Sequence, residues 1–357
     1  MLNTVNGRIA ASGGNKALVA QELRAAQAER KARVNAPTLD AAIDEYARTE
    51  LAGTKRRDKT VKEIRSFFAD YLSTQPAHLP HEKINRLIEA ERQRVPSHTN
   101  TVIRRARPLF RWMQERGWTN QNILAGAKVE QSPERDVSPT AADVAQILIS
   151  SEAEQSATCR GLMGVLVYTA QRLGNCMALQ VGEIDRDDMV WTIPSAKAKT
   201  KTDYKTPLTR EALAIIDATA AANGIDWDTC DPETYLFAGR TSKPFAGISR
   251  LKERVEKRAK DNNGGKFIYW QIHDLRRSFS DAVIDAGADP AIADRCLNHA
   301  ASGTTSRIQR RYQRSQQVER QRAVFQTWAS ILQDELARAR GEPAPRKVVS
   351  ISNGRPE

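Results

Sequence analysis

The stretch RIQRRYQRS, residues 307–315, sets Tyr312 among Arg307, Arg310, Arg311 and Arg314 with hardly an apolar neighbour. A phenol has a pKa near ~10 and attacks poorly, but nearby cations stabilise its phenolate. Tyr312 therefore qualifies as a nucleophile aimed at a phosphate. The plain alternative is a solvated basic helix face with one tyrosine lying across it, and the rest of the chain has to decide.

Three other stretches bear on the choice. Arg172 in YTAQRLGNCMALQ follows the apolar run GLMGVLVYTA. A charged side chain at the end of a buried helix needs a counter-charge, and Asn175, one turn on, carries none. An anion from outside would serve. In IPSAKAKTKTDYKTPLT, Lys197, Lys199, Lys201 and Lys205 stand at odd positions, so a regular strand projects them from one face. Such a row also protects an edge strand from aggregation. A lysine on a flexible ribbon can equally reach a leaving oxygen and protonate it.

The third stretch, IHDLRRSFSDAVIDAGADPAIADRCLNHA, is the most specific. His273 and Arg276 meet on one helix face at i and i+3. Ser278, Phe279, Ala282, Val283 and Ala286 carry that helix inward, and Gly287 ends it. Asp289 and Pro290 then read as N-cap and first residue of the next helix. It closes at Leu297-Asn298, where asparagine suits the left-handed position, so His299 emerges at a helix end. Two histidines and an arginine near helix ends suit a phosphate better than a metal. A metal-dependent nuclease wants clustered carboxylates, and none lies beside these residues, so neither metal nor cofactor is expected.

Taken in order, these stretches resemble the catalytic domain of tyrosine recombinases, phage and genomic-island integrases in particular, over about residues 136–333. The family's first arginine box resembles TAQRLGNCMAL and points to Arg172. Its ribbon-lysine pattern resembles IPSAKAKTKTDYKTPLT and points to Lys199. HDLRRSF resembles the His-x-x-Arg box and gives His273 and Arg276. LNH stands where LGH is usual and gives His299, while RRYQRS followed by VFQTWASIL resembles the nucleophile box and gives Tyr312. Residues 37–128 resemble, more weakly, the family's helical core-binding domain, best at RWMQERGW followed by QNILAG. Two positions depart from the pattern. Asn175 stands where an acidic residue is usual, and Asn298 where glycine is usual, although both of the latter accept a left-handed conformation.

The resemblance implies a site-specific recombinase that cuts and rejoins DNA through a 3′-phosphotyrosyl link, without ATP or metal. Tyr312 would attack, Arg172 and Arg276 would clamp the non-bridging oxygens with a hydrogen bond from His299, Lys199 would protonate the 5′-oxygen, and His273 would assist proton removal from Tyr312. It also implies double-stranded crossover-site DNA as partner and a homotetramer assembled on it. Accessory DNA-bending proteins are partners it allows. A type IB topoisomerase-like enzyme shares the constellation but exchanges no strands, and a non-catalytic DNA binder could share the fold.

These residues must be positioned by a chain of 357 residues, long for one core, which predicts two domains. A formal net charge of +12 points to a polyanionic partner, nucleic acid first. A mean hydropathy of −0.57 and the lack of a long apolar run argue against a membrane span, and the N-terminus has no signal-peptide pattern, which leads to a bacterial cytoplasmic, nucleoid-associated expectation. Cys159, Cys176, Cys230 and Cys296 are scattered and read as buried thiols.

The expected fold is mainly α with a small β-ribbon, in the α+β class. Residues 1–36 read as an arm, 37–128 as a helical DNA-binding domain, 129–137 as a linker, 138–340 as the catalytic domain and 341–357 as a disordered tail. Helical spacing marks LDAAIDEYA, VKEIRSFFADYL, INRLIEAERQRV and TVIRRARPLFRWMQERGW, with Gly117 as a stop. The last of these turns Ile103, Ala106, Phe110 and Met113 inward and Arg104, Arg107 and Arg111 to a neighbouring face. Those arginines, with Lys197 and Lys201, are the candidate DNA contacts. Ser138 or Thr140 caps the helix after the linker. MVWTI reads as one strand, AKAKT and YKTPL as the edges of a hairpin. In QQVERQRAVFQTWASILQDELARAR, Val318, Phe325, Trp328, Leu332 and Leu336 share one side, and in the tetramer that the resemblance implies the helix from 316 to 340 could pack onto a neighbouring subunit.

Overall fold

Hydrophobic spacing resolves into two cores, in two compact units, Met1–Glu134 and Arg135–Glu357. The computed structural model describes residues 21, 24, 34–130, 138–198, 202–239, 242–267, 269–298 and 314–343, with side chains of the last stretch from Gln317 onward.

The first unit is helical: α1 (Leu39–Thr49), α2 (Arg57–Phe67), α3 (His81–Arg94) and α4 (Pro96–Glu115). Thr38 caps α1 by accepting from Ala41 N, and Leu39, Ala42, Ile43, Tyr46 and Ala47 form its buried stripe. In α4, Val102, Ile103, Ala106, Leu109, Phe110 and Met113 are buried, and the helix continues through Pro108, which lacks the amide hydrogen its turn needs. Gly117, at φ 72°, ends the helix. Trp112 packs edge-on against both Tyr46 and Trp118.

The second unit opens with α5 (Ala141–Glu152), closed at its start by a reciprocal capping box between Thr140 and Asp143. Of the two expected caps Thr140 takes the role, while Ser138 donates to Asp281. Next come α6 (Ala157–Thr169) and the short α7 (Leu173–Met177). Strands β1 (Ile184–Asp185), β2 (Val190–Ile193) and β3 (Tyr204–Pro207) form one antiparallel sheet in that order, and β2 pairs with β3 from Val190↔Pro207 to Ile193↔Tyr204.

Helices α8 (Arg210–Ala222), α9 (Ile248–Asn262), α10 (Asp274–Asp285), α11 (Pro290–Cys296) and α12 (Arg314–Arg340) complete the unit. Helix α6 is buried along most of its length, and two glycines let α8 approach it. A Cβ on Gly161 would stand 2.0 Å from Thr219 Oγ1, and one on Gly164 2.8 Å from Ile215 Cδ1. The mainly helical architecture with a small sheet matches the sequence expectation.

Several details differ. The hairpin joins VWTI to YKTP, and residues 195–197, at the start of AKAKT, form a turn; Pro194 and the ten-residue separation leave the strand no partner there. The apolar side of α12 is consumed inside its own domain, where it packs on α5, α6, α10, α11 and β3. Phe325, Trp328, Leu332 and Leu336 are buried, each worth about 1.5–3 kcal/mol, and Trp328 Nε1 donates to Val167 O at 2.8 Å. Val318 is only half-buried, because Gln317 and Gln321 take the inward positions at the helix start. Ala286 is exposed, as the C-cap that turns away from the core, and Cys230 is half-buried in a surface turn whereas the other three thiols are buried. Most of the expected arm, linker and tail lies outside the described residues.

Candidate functional site

Three chain ends meet in the second unit. Helix α6 stops at Thr169 because Ala170 turns left-handed, at φ 48°, and this reversal delivers Gln171 and Arg172 to the start of α7, whose N-cap is Arg172. Helix α10 carries Arg276 in its first turn, only 3% exposed. Helix α11, capped by Asp289 ahead of Pro290, ends at Leu297 and at Asn298, which is left-handed at φ 50° as asparagine permits.

The side chains from the first two ends grip the third. Gln171 Nε2 donates to Cys296 O at 2.7 Å, Arg276 Nη2 to Leu297 O at 2.5 Å, and Arg172 Nη2 to Asn298 O at 2.9 Å. Arg276 Nη1 reaches the other way, to Ala170 O at 2.5 Å. Arg276 thus bridges the carboxyl ends of α6 and α11. Helix ends present carbonyls without helical partners and the negative pole of the helix dipole, which suits a cation.

These carbonyls orient the arginines but carry only partial charge. Burial first, and then the Arg172 charge, press the Arg276 pKa down to about 10, so its guanidinium remains protonated at neutral pH. Burial also lowers Arg172. Among the described residues no carboxylate lies within ion-pair distance of Arg172, and its buried Nη1 has no hydrogen-bond partner. Asn175 is likewise buried with Nδ2 unpartnered; its backbone N–H donates to Arg172 O at 2.8 Å. A half-buried guanidinium whose Nη1 is wholly buried carries a desolvation cost, and an anion offsets that cost.

The surroundings fix this arrangement. Tyr204 on β3 places its hydroxyl 2.5 Å from Arg295 O and 2.7 Å from Gln321 Oε1, tying the sheet to the end of α11 and the start of α12. Burial raises its pKa well above the ordinary phenol value. Burial also pushes the Cys176 thiol up to about 12, which keeps it neutral beneath the arginines.

Of the residues singled out from sequence, the structure brings Arg172 and Arg276 together. His273 stands exposed at the N-cap of α10 with helical backbone angles, one turn ahead of Arg276. Lys199, Lys201, His299 and Tyr312 lie outside the described residues. Lys197 departs from the expected lysine row. It sits in the 195–197 turn, and its ammonium donates to Ala178 O at 2.6 Å, to Gln180 Oε1 at 2.7 Å and to the Glu183 carboxylate. Lys205 is exposed on β3.

In the first unit Arg104 and Arg111 are exposed, two turns apart on α4. Arg107 instead turns back to hold the chain after the helix, donating to Leu124 O at 3.0 Å and to Ala127 O. Sequence reasoning missed Gln171 and Tyr204. The signals available were a glutamine directly after a buried apolar run, and a tyrosine one residue before Lys205 at the strand edge. Among the described residues no three His, Cys, Asp or Glu side chains could hold a metal, and no helix is long and apolar enough to cross a membrane.

A mainly helical domain with a small antiparallel sheet thus brings two arginines together at converging helix ends. Residues 140–317 match the model described as the phage integrase family, and through this domain the chain belongs to that family. It is 28% identical over 150 residues to prophage integrase IntA of Escherichia coli (strain K12); the match covers 42% of this chain and spans 33% of that relative.

Solved structures share the fold. A lambda integrase tetramer bound to a Holliday junction superposes with a TM-score of 0.60 at 16% identity, covering 77% of this chain and 78% of that one. A lambda integrase (75–356) dimer bound to a COC′ core site gives 0.55 at 16%, over 76% and 99%. The Tn1549 transposon integrase (82–397) with circular intermediate DNA gives 0.55 at 13%, over 78% and 99%.

Proposed function

We propose that this chain is a site-specific DNA recombinase, an integrase that moves a mobile element through a covalent 3′-phosphotyrosyl intermediate. The observation that carries the reading is the Arg172–Arg276 pair, both guanidiniums oriented by main-chain carbonyls, with no carboxylate within ion-pair distance of Arg172 among the described residues and its Nη1 buried without a partner among them. A scissile phosphate supplies a negative charge. Its non-bridging oxygens accept from guanidinium forks held in advance, where charge grows in the transition state.

In the proposed step Tyr312 Oη bonds to phosphorus and the bond from phosphorus to the 5′-oxygen breaks. His273 assists removal of the phenolic proton, Lys199 delivers a proton to the departing 5′-oxygen, and His299 donates to a non-bridging oxygen. The phosphodiester energy stays in the tyrosyl link, so attack by a partner strand's 5′-hydroxyl rejoins DNA without ATP or a metal. Double-stranded crossover-site DNA and a homotetramer are the partners in this reading. The DNA-bound lambda and Tn1549 integrases that share the fold support it. The charge of +12 favours DNA over a small anion, and the exposed Arg104 and Arg111 add cations on α4.

The test is a nicked suicide duplex carrying the crossover site, incubated with chelator and run on a denaturing protein gel. A shifted covalent band that Tyr312→Phe abolishes is expected. Tight binding of the duplex without a band makes the protein a DNA binder that kept the fold and not the chemistry.

A further inference from the structure

Gln171 is 1% exposed, directly beside Arg172, and its amide is used in one direction only. Both donor contacts are made, to Cys296 O at 2.7 Å and to Thr169 O at 3.1 Å, while Oε1 is buried without a partner among the described residues. A buried polar side chain that leaves its acceptor unmet is costly, so its donor contacts have to matter. They join the two helix ends that Arg276 also joins. Gln171 links the end of α6 to Cys296 O, and Arg276 links Ala170 O to Leu297 O, the next carbonyl along. Arg172 takes the third, Asn298 O.

We infer that Gln171 is a positioning residue for the paired arginines: by holding Cys296 O it sets the register in which Leu297 O and Asn298 O meet Arg276 and Arg172. Without that anchor the peptide plane after Cys296 can turn about the soft dihedrals on either side of it, and the position of the Leu297 and Asn298 carbonyls that follow is no longer fixed. The guanidiniums then lose the acceptors that aim their remaining N–H groups at a phosphate. Neither arginine is touched by Gln171 itself in this account. The backbone of residues 296–298 transmits the effect. The inference rests on the recombinase reading above, since it assigns the phosphate those arginines are aimed at.

The test compares the grip on one charged phosphate with the grip on its neutral analogue. The probe is a duplex selected from a random-sequence pool by the Tyr312→Phe protein, with its cleavage position mapped by the unaltered chain. It is made twice, once with the natural phosphate at that position and once with a methylphosphonate. In the Tyr312→Phe background the charged duplex should bind about tenfold tighter or more, and Gln171→Met should shrink that ratio below about threefold. The neutral duplex should bind both proteins within about twofold, because nothing else in the interface depends on Gln171.

A ratio unchanged by Gln171→Met makes Gln171 a core residue and overturns the inference while leaving the recombinase reading intact. A ratio near one before any change at Gln171, or a chain that cuts no duplex it binds, overturns that reading and the inference with it. Circular dichroism and a cooperative melt establish that the variant folds. Should Gln171→Met not fold, Gln171→Asn, too short to span to Cys296 O, takes its place. If neither folds, the residue serves the fold alone and the inference is wrong.

Discussion

Arg276 donates to the carbonyl of Ala170 at 2.5 Å, and Ala170 is the left-handed residue at which α6 ends. The side chain proposed to hold the phosphate is therefore also the one that closes a helix end. Two jobs on one guanidinium lead to the first prediction. Arg276→Lys keeps the charge but cannot reach Ala170 O and Leu297 O together, since an ammonium lacks the planar fork. Stability should fall by about 1–3 kcal/mol in a urea melt, with one buried carbonyl left unmet. Covalent-complex formation should fall by about a hundredfold or more. A variant that loses activity and no stability would show that the bridge to Ala170 contributes nothing to the fold.

Asn175 occupies the third position of α7, one turn from Arg172, where a carboxylate would meet both the guanidinium and the positive end of the helix. Asn175→Asp should raise the melting temperature of the free protein by a few degrees, about 1 kcal/mol of stability. It should also weaken competition by inorganic phosphate for the DNA site, because the arginine pair is then partly neutralised. The two readouts should move in opposite senses. A variant that binds phosphate more tightly would mean that the charge at position 175 does not reach the pair.

Glu154 is 5% exposed and held by two arginines of α9, with Arg254 Nη2 at 2.6 Å and Arg258 Nη1 at 2.5 Å. Hydrogen bonding from Arg254, then from Arg258, lowers its pKa below the ordinary value of 4.5 against the opposing effect of burial. A depressed carboxylate pKa means that the unfolded chain binds the proton more readily. The cluster's contribution is thus full above pH 4.5 and is lost as the pH falls through the lower folded value. Glu154→Gln should cost about 1–2 kcal/mol at pH 7, because two part-exposed arginines lose a charged acceptor that solvent only partly replaces. Urea melts of both proteins at descending pH should show the gap closing below that point; a gap constant down to pH 3 would contradict the assignment.

How much of this was legible beforehand depends on the range of the interaction. Helices α1 to α4 and the buried stripe of α12 follow from 3.6-residue spacing, and Gly117, Asp289-Pro290 and Asn298 announce their own backbone geometry. Arg172 was visible as a charge with no local counter-charge and Arg276 as the helix-face neighbour of His273, and the structure joins the two arginines across more than a hundred residues of chain. Lys197 was misread because period two was extended to a position where the strand, ending at Ile193, has already given way to a turn. Lys197 answers instead to Glu183, a carboxylate fourteen positions away that no local pattern indicates. Arg107 was read as surface for a similar reason, since its acceptors are main-chain carbonyls in the chain after the helix. Gln171 and Tyr204 were invisible because their partners, Cys296 O and Arg295 O, lie at a helix end that only the fold brings near.

In the proposed mechanism the Arg172–Arg276 pair presents a DNA phosphate to Tyr312. The most direct test is to trap the covalent complex on a suicide duplex in chelator, digest both polymers and map the adduct by mass spectrometry. The account predicts one modified peptide, carrying Tyr312 linked through phosphate to a 3′-nucleotide, with a free 5′-hydroxyl on the released strand. An adduct on any other residue, or a linkage to the 5′ end, would contradict it.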